Sequence, residues 1–234
     1  MNQKIFDALR VIRGAFFCFS TFLYILLQKG YVTMVEKKAK RKISTRKIAM
    51  TAVMAAVSTV LMFISFKLPF MPSFISLDFS DLPALIASFT LGPLSGMAVC
   101  FVKNLINITQ TMTFGVGELS NFIISSAFVV SAGAIYGRKR NFASAAVGSV
   151  IGAMFMAFLG FFSNYFIVYP IYTNIMSMEA IIGMYKAINP AVDSLWQALL
   201  YFNVPFTFCK GMISAIVTLL TYKKLEPVIN GRVV

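Results

Sequence analysis

Lys210 is the residue of this sequence whose type and position point most directly to chemistry. It lies about halfway along an apolar segment, residues 195–222, and follows Asn203, Pro205 and Thr207. A charged side chain at this depth is costly to bury, so it marks a functional position by default. Such a lysine could instead snorkel to water or neutralise a structural carboxylate, but its depth disfavours snorkelling. We therefore predict that the Lys210 ammonium contacts a bound ligand.

Amide side chains in other apolar segments are a second group of candidates. Asn164 lies in FFSNYFIVYPIY, and its amide can donate to and accept from a planar heterocycle. An interhelical hydrogen bond would explain the residue equally well. Lys103, Asn107 and Gln110 are spaced i, i+4 and i+7, which places them on one face of a helix. We expect this polar stripe to pack inside a bundle or to frame its outer mouth rather than to bind substrate.

Four further polar residues have the spacing of turns and helix ends. Asp78 and Asp81 in LDFSDLP suit turn and N-cap positions, with Asp81 directly before a helix that begins at Leu82. Glu118 and Asn121 in GELSNF begin another helix, where a carboxylate favours the positive end of the helix dipole. We expect capping rather than ligand binding from all four.

The sequence lacks the usual residues of a catalytic centre. It has no histidine, and therefore neither the usual general base nor the commonest metal ligand. Cys18, Cys100 and Cys209 are far apart and match neither a metal site nor a disulfide framework. No nucleotide-binding loop of the type GxxxxGK[ST] occurs. We predict no enzyme activity, no cofactor and no metal, so any ATP that drives the protein must be hydrolysed by a partner.

Composition places the elements that carry these residues in a membrane. Hydrophobic residues make up 59% of the chain and the mean hydropathy is +0.80, well outside the range of soluble proteins. The chain has 21 basic and 8 acidic residues. The basic residues concentrate in blocks at 37–47, 138–140 and 223–232, each beside an apolar segment. Such clustering indicates cytoplasmic loops and termini and argues against nucleic-acid binding.

The same positive blocks decide the number of helices. Four apolar segments are long enough to cross a bilayer, namely 48–66, 118–136, 141–168 and 195–222. A single span at 82–102 would place the block at 138–140 outside, against the positive-inside rule. A break at Gly92-Pro93, giving helices at 82–91 and 93–110, returns it to the cytoplasm, and proline suits the first turn of a helix. The predicted fold class is an all-α membrane protein, a six-transmembrane-helix bundle with both termini cytoplasmic.

Several local patterns, in this order, resemble a known family over about residues 44–225. They are the basic leader with Ala52-x-x-x-Ala56, the loop PFMPSFISLDFSDLPAL, the turn GPLSG before VKNLIN, then GELSNF, SNYFIVYPIY and NVPFTFCKG. Together they resemble the riboflavin-specific substrate-binding (S) components of energy-coupling factor (ECF) vitamin transporters.

The resemblance implies a binding site for riboflavin near the outer face, with the first outer loop folded over the vitamin. Its residues, carried over by motif, are Phe74 and Ser76 in the first loop, Asn164 on the fifth helix, and Thr207 and Lys210 on the sixth. Position 207 departs from the family pattern, in which asparagine is expected. Threonine offers one hydroxyl in place of an amide, and so one contact fewer.

The resemblance also implies that the protein lies in the bacterial plasma membrane. Its implied partners are a transmembrane coupling subunit and two cytoplasmic ATPases. Small residues four apart let helices approach closely, so Ala52 and Ala56 could contact the coupling subunit or pack within the chain. The implied substrate-binding domain covers residues 48–225. Residues 34–47 are a basic cytoplasmic leader, 226–234 a cytoplasmic tail, and 1–33 an extension that suits an interfacial helix or a translated leader.

Three other functions are alternatives to riboflavin binding. An S component for another vitamin, such as thiamine or folate, would share the fold. A stand-alone secondary transporter is disfavoured because the sequence shows neither paired inward carboxylates nor an inverted repeat. An intramembrane enzyme is disfavoured by the absence of histidine and of metal-ligand spacing.

Overall fold

Seven helices and a two-stranded sheet make up the part of the chain that the structure describes. The computed structural model describes residues 44–72, 75–110, 115–174 and 176–229. The predicted extension at 1–33, most of the basic leader and Phe74 lie outside these residues.

The first half of the fold contains three helices and the small sheet. The elements are α1 (Thr45–Phe63), β1 (Phe66–Lys67), β2 (Ser76–Leu77), α2 (Asp81–Leu91) and α3 (Pro93–Asn107). The strands are antiparallel, with Phe66 opposite Leu77, and a 3-10 turn, Ile108–Gln110, extends α3. The first loop therefore folds back on itself before it enters α2.

The second half contains four helices, two of them interrupted by a π-helical turn. The elements are α4 (Val116–Lys139), α5 (Phe142–Ser163, then the π turn Asn164–Val168 and the end Tyr169–Tyr172), α6 (Met178–Lys186) and α7 (Leu195–Ala198, then the π turn Leu199–Asn203 and the body Val204–Ile229). By length and composition, α1, α4, α5 and α7 can each cross a membrane, whereas α2 is a shorter apolar helix.

The predicted break at Gly92-Pro93 is confirmed. Gly92 has a φ of +103°, which residues with a Cβ rarely adopt. It separates the end of α2 from the start of α3. Pro93 is the first residue of α3. An N–H at this position would have no partner within the helix, so the missing N–H of proline costs no hydrogen bond. Helix α2 begins at Asp81, one residue earlier than expected.

Helix α6 lies within the segment 169–193, which the sequence indicated only as an outer connection. Its start is capped by Ser177, whose hydroxyl accepts a hydrogen bond from the Ala180 N–H at 3.3 Å. Ile181 and Tyr185, one turn apart, are buried in a hydrophobic cluster that includes Val168 and Leu199. The helix is short and has a single apolar stripe. Its sequence pattern is therefore too weak to be recognised beside the long apolar segments.

Helices α4 and α5 approach closely through glycines of α5. A Cβ added at Gly148 would lie 2.7 Å from the Ala132 carbonyl oxygen, and one at Gly152 would lie 2.8 Å from that of Phe128. Both distances are too short for real Cβ atoms, so these two glycines set the spacing of the pair. Gly137 on α4, by contrast, has open space where a Cβ would stand.

We predict that Gly152→Ala lowers the stability of the folded protein by about 1–3 kcal/mol, because the new methyl group forces α5 away from α4. Gly137→Ala is the matched control and should leave stability unchanged or slightly raised, since alanine favours helix more than glycine does. Thermal unfolding in detergent measures both variants. Equal unfolding temperatures for the two would contradict the proposed close contact.

Candidate functional site

Four charged side chains are buried together where the first loop meets the helices. Asp78 follows β2, Asp81 opens α2, Lys103 lies on α3 and Lys210 on α7. Lys103 Nζ is 2.6 Å from Asp81 Oδ1, and Lys210 Nζ is 2.8 Å from Asp78 Oδ2 and 3.7 Å from Asp81 Oδ2. This ion cluster pairs two carboxylates with two ammonium groups, so the buried charges balance.

Ser80 joins the ion cluster to the surrounding backbone. Its N–H donates to Asp78 Oδ1 at 2.9 Å, and its hydroxyl donates to the same oxygen. Lys103 Nζ donates to the Ser80 hydroxyl oxygen at 2.7 Å, and the Ser58 hydroxyl of α1 donates to the Ser80 carbonyl. Burial alone raises the pKa of the Asp78 carboxyl, but Lys210 and Lys103 outweigh it and the pKa lies below its ordinary value.

The ion cluster changes the interpretation of three sequence candidates. Asp78 makes the expected turn, because its carboxylate accepts from the N–H two residues on. The expected N-cap role of Asp81 is wrong, since Ser80 occupies the N-cap and Asp81 is the first helical residue, paired with Lys103. Lys210 does neutralise a carboxylate, which was the alternative to a ligand contact, yet it also lines the cavity described next.

A cavity of about 310 Å³ lies between the first loop and helices α3, α4, α5 and α7. The volume falls at the lower end of the range of about 300–1,000 Å³ typical of small-molecule sites. Four of the five residues that the sequence resemblance assigns to the ligand line it, namely Ser76, Asn164, Thr207 and Lys210. The fifth, Phe74, lies outside the described residues. Residues from β2, α5 and α7, far apart in sequence, thus meet around one space.

The polar stripe of α3 divides between the interior and the cavity. Lys103 is fully buried in the ion cluster, whereas Asn107 and Gln110 line the cavity. Glu118 and Asn121 of α4 line it too, although the sequence suggested capping alone. Asn107 Nδ2 donates to Glu118 Oε1 at 3.1 Å, and Asn121 Nδ2 donates to Asn104 Oδ1 at 2.9 Å.

Both π turns bring amides to the cavity. Asn164 begins the π turn of α5 and Asn203 ends that of α7, and both side chains line the cavity. Such turns displace side chains from ordinary helical positions and often occur at functional sites. Pro170 and Pro205 each follow a π turn by two residues, and a proline within a helix leaves a carbonyl of the preceding turn without its N–H donor. The sequence therefore marks an interruption at both places but not its π-helical geometry.

A hydrogen-bonded triangle holds Asn203 in place. Tyr185 of α6 donates to Asn203 Oδ1 at 2.8 Å, Asn203 Nδ2 donates to the Tyr169 hydroxyl at 3.3 Å, and the two tyrosine hydroxyls bond to each other. Tyr169 lines the cavity, so the triangle ties α6 to two of the cavity walls. Sequence reasoning missed both tyrosines, because 9 tyrosines and 24 phenylalanines offer no basis for choosing among them.

The chemistry of the cavity suits binding rather than catalysis. Its walls offer amides, hydroxyls, aromatic rings, the Glu118 carboxylate and the ion pair of Lys210 with Asp78. In the part of the chain that the structure describes, no group of three or more His, Cys, Asp or Glu side chains could hold a metal ion. Such walls fit a planar ligand with a polar edge.

We predict that Lys103→Met lowers stability by about 3–5 kcal/mol, because it leaves Asp81 buried without its closest counter-charge. Lys186→Met is the control, since Lys186 and Asp193 form an ion pair 2.9 Å long whose side chains are 47% and 74% exposed. Its loss should change stability by at most about 1 kcal/mol. Thermal unfolding in detergent compares the two variants. Similar shifts in unfolding temperature would show that the buried ion pair stabilises the fold no more than the exposed one does.

Comparison with known proteins identifies the family. Residues 46–222 match the family described as ECF transporter, substrate-specific component. The riboflavin transporter RibU of Staphylococcus aureus (strain TCH60) is 34% identical over 180 residues, which cover 77% of this chain and 90% of that protein. The riboflavin transporter FmnP of Bacillus subtilis (strain 168) is 29% identical over 185 residues, covering 78% and 93%.

The fold agrees with the sequence comparison. The solved structure of the S component of a bacterial ECF transporter superposes with a TM-score of 0.62 at 34% identity, covering 77% of this chain and 95% of that chain. These relatives are transport components, not enzymes. Together with the long apolar helices, they show a multi-pass protein of the cell membrane. The chain belongs to the family of substrate-specific components of ECF transporters.

Proposed function

We propose that this protein captures riboflavin at the outer face of the bacterial plasma membrane, for ATP-driven uptake by partner subunits. The observation that carries the proposal is the meeting of Ser76, Asn164, Thr207 and Lys210 around one cavity. Two relatives whose alignments cover more than three quarters of this chain are riboflavin transporters.

The cavity offers what the flavin ring needs. The pyrimidine edge of isoalloxazine alternates hydrogen-bond acceptors with one N–H donor, and a carboxamide such as that of Asn164 can satisfy both kinds of group. The Thr207 hydroxyl and the Lys210 ammonium add donors on α7, one helical turn apart. Tyr169, Tyr172 and Phe206 supply aromatic surface against which a flat ring can pack. Threonine at position 207 leaves this edge with one polar contact fewer than an amide would give.

We further propose that six helices cross the membrane with both termini in the cytoplasm. Helices α2 and α3 cross as a short pair that turns at Gly92-Pro93, and α1, α4, α5 and α7 span singly. Short α2 has buried residues along most of its length, as a helix of eleven residues within a bilayer requires. Helix α6 then lies on the outer side, between α5 and α7 in sequence, and supports the cavity wall through the hydrogen bonds of Tyr185 with Asn203 and Tyr169.

Helix α1 is the surface that we assign to the transmembrane coupling subunit, which in turn joins two ATPases. Ala52 and Ala56 are both exposed, whereas Ala55 and Ser58 are buried. Thr59 continues the stripe of Ala52 and Ala56 but is buried, so the N-terminal part of this stripe is the accessible part. An exposed pair of small residues four apart permits a second helix to approach closely.

For the binding site, we predict that Asn164→Ala and Lys210→Ala each weaken riboflavin binding by about 1–3 kcal/mol, the cost of leaving a buried polar group of the complex unpaired. Quenching of flavin fluorescence by the purified protein measures the affinity. Lys186→Ala, which removes an exposed lysine outside the cavity, is the control and should bind as the unchanged protein does.

Lys210→Ala also removes the counter-charge of Asp78, so thermal unfolding without riboflavin should be recorded beside the affinity. A loss of affinity in Asn164→Ala at unchanged stability supports the site directly. Unchanged affinity in both variants would overturn the assignment, and displacement of riboflavin by thiamine or folate would point to another vitamin.

For the partner surface, we predict that Ala56→Trp leaves riboflavin affinity unchanged but lowers riboflavin uptake more than about tenfold, because the bulky ring prevents close helix contact. The control is Val147→Trp, since Val147 is also exposed but lies on α5. Uptake is measured in cells that also produce the coupling subunit and ATPases. Equal uptake by the two variants would exclude this face of α1.

A further inference from the structure

The two π turns are points at which the backbone of α5 and α7 is weakly held. In α5 the N–H of Tyr169 donates to the carbonyl of Asn164, five residues back. In α7 the N–H of Val204 donates to the carbonyl of Leu199, again five residues back. A proline directly follows the donor in both helices and supplies no N–H of its own. Contacts from elsewhere in the fold must therefore help to hold the geometry of these turns.

Helix α6 packs against both π turns. Its residues Ile181 and Tyr185 are buried in one hydrophobic cluster. The same cluster contains Val168, the last residue of the α5 turn, and Leu199, the first residue of the α7 turn. The ring centroid of Tyr185 is 5.4 Å from that of Phe202, which also belongs to the α7 turn. One short helix thus contacts both interruptions.

The hydrogen-bonded triangle adds a polar link at the same place, and its donors can be assigned. Tyr185 donates its single hydroxyl proton to Asn203 Oδ1 at 2.8 Å. Asn203 Nδ2 donates to the Tyr169 hydroxyl oxygen at 3.3 Å. The Tyr169 proton is then the one that points to the Tyr185 oxygen. Each hydroxyl donates once and accepts once, an arrangement in which the hydrogen bonds strengthen one another.

Tyr185 has its effect at a distance from the cavity. It is fully buried and does not line the cavity, whereas Asn203 and Tyr169 do. The triangle decides which way the Asn203 amide faces, because Oδ1 is directed to Tyr185 and one Nδ2 proton to Tyr169. Tyr185 can therefore influence a ligand only through the groups that it holds.

We propose that Tyr185 is a positioning residue, through which α6 holds the two π turns in the geometry that presents their amides to the cavity. Through Asn203 it fixes the end of the α7 turn. Through Tyr169 it fixes the end of the α5 turn, which begins at Asn164. The proposal rests on the proposed function for the identity of the ligand, but the hold on the π turns is present without any ligand.

Hydrogen–deuterium exchange of the full-length protein in detergent, without ligand, tests the hold itself. Tyr185→Phe keeps the aromatic ring in its cluster and removes only the hydroxyl. It should raise amide exchange in both π turns at least about threefold, because a lost hydrogen bond lowers local stability. Tyr201→Phe is the matched control, since Tyr201 lies in the α7 turn but is 57% exposed, and it should leave exchange unchanged. Unchanged exchange in Tyr185→Phe, or an equal rise in both variants, would overturn the proposal.

Riboflavin affinity then tests whether Tyr185 acts through Asn203. Tyr185→Phe should weaken binding about three- to tenfold, whereas Tyr201→Phe should bind as the unchanged protein does. When Tyr185→Phe is added to Asn203→Ala, affinity should fall less than about twofold further, because the triangle is already open. An equal loss in the two backgrounds would show that Tyr185 acts by packing alone, and would overturn its positioning role.

Tyr169→Phe opens the triangle from α5 and is the second variant if Tyr185→Phe does not fold. It should raise amide exchange in the same two turns, and unchanged exchange would overturn the proposal. Failure of the unchanged protein to bind riboflavin would overturn the proposed function alone. The exchange experiment would still decide whether α6 holds the π turns.

Discussion

The buried pairing of Asp78 and Asp81 with Lys103 and Lys210 is the interaction on which the rest of the structure depends. A charge in an apolar interior is tolerated only with a partner at hydrogen-bond distance. The four residues come from the first loop, α2, α3 and α7, so satisfying them fixes these elements relative to one another. Because Asp78 and Lys210 also line the cavity, the contacts that hold the fold together set the shape of the site.

This arrangement suits an uncharged ligand. The ammonium groups of the cluster are matched by carboxylates, so no strong positive charge is left to attract an anion. The cavity then offers amides, hydroxyls, rings and the Glu118 carboxylate, groups that can distinguish the parts of a neutral molecule by shape and hydrogen bonding. Riboflavin, with a flat ring and a polyol chain, offers both kinds of part.

Features with a local signal could be predicted from the sequence. The break at Gly92-Pro93 follows from two adjacent residues, and the long helices follow from apolar length. The ion pair between Lys210 and Asp78 joins residues 132 positions apart, and no pattern along the chain encodes such a contact. Helix α6 and the π turns depend likewise on tertiary packing, here through Tyr185 and Asn203. Asn164 could be proposed as an amide within an apolar segment, whereas Ser76 and Thr207 were proposed only because a family resemblance carries long-range information that spacing lacks.

We propose above all that the cavity between the first loop and helices α3, α4, α5 and α7 holds riboflavin. The most direct measurement is the visible absorption spectrum of the full-length protein, purified in detergent from cells grown with riboflavin. If the cavity holds riboflavin, the protein is yellow and shows the absorption bands of an oxidised flavin, at about one flavin for each chain. A colourless protein that also fails to take up added riboflavin would contradict it.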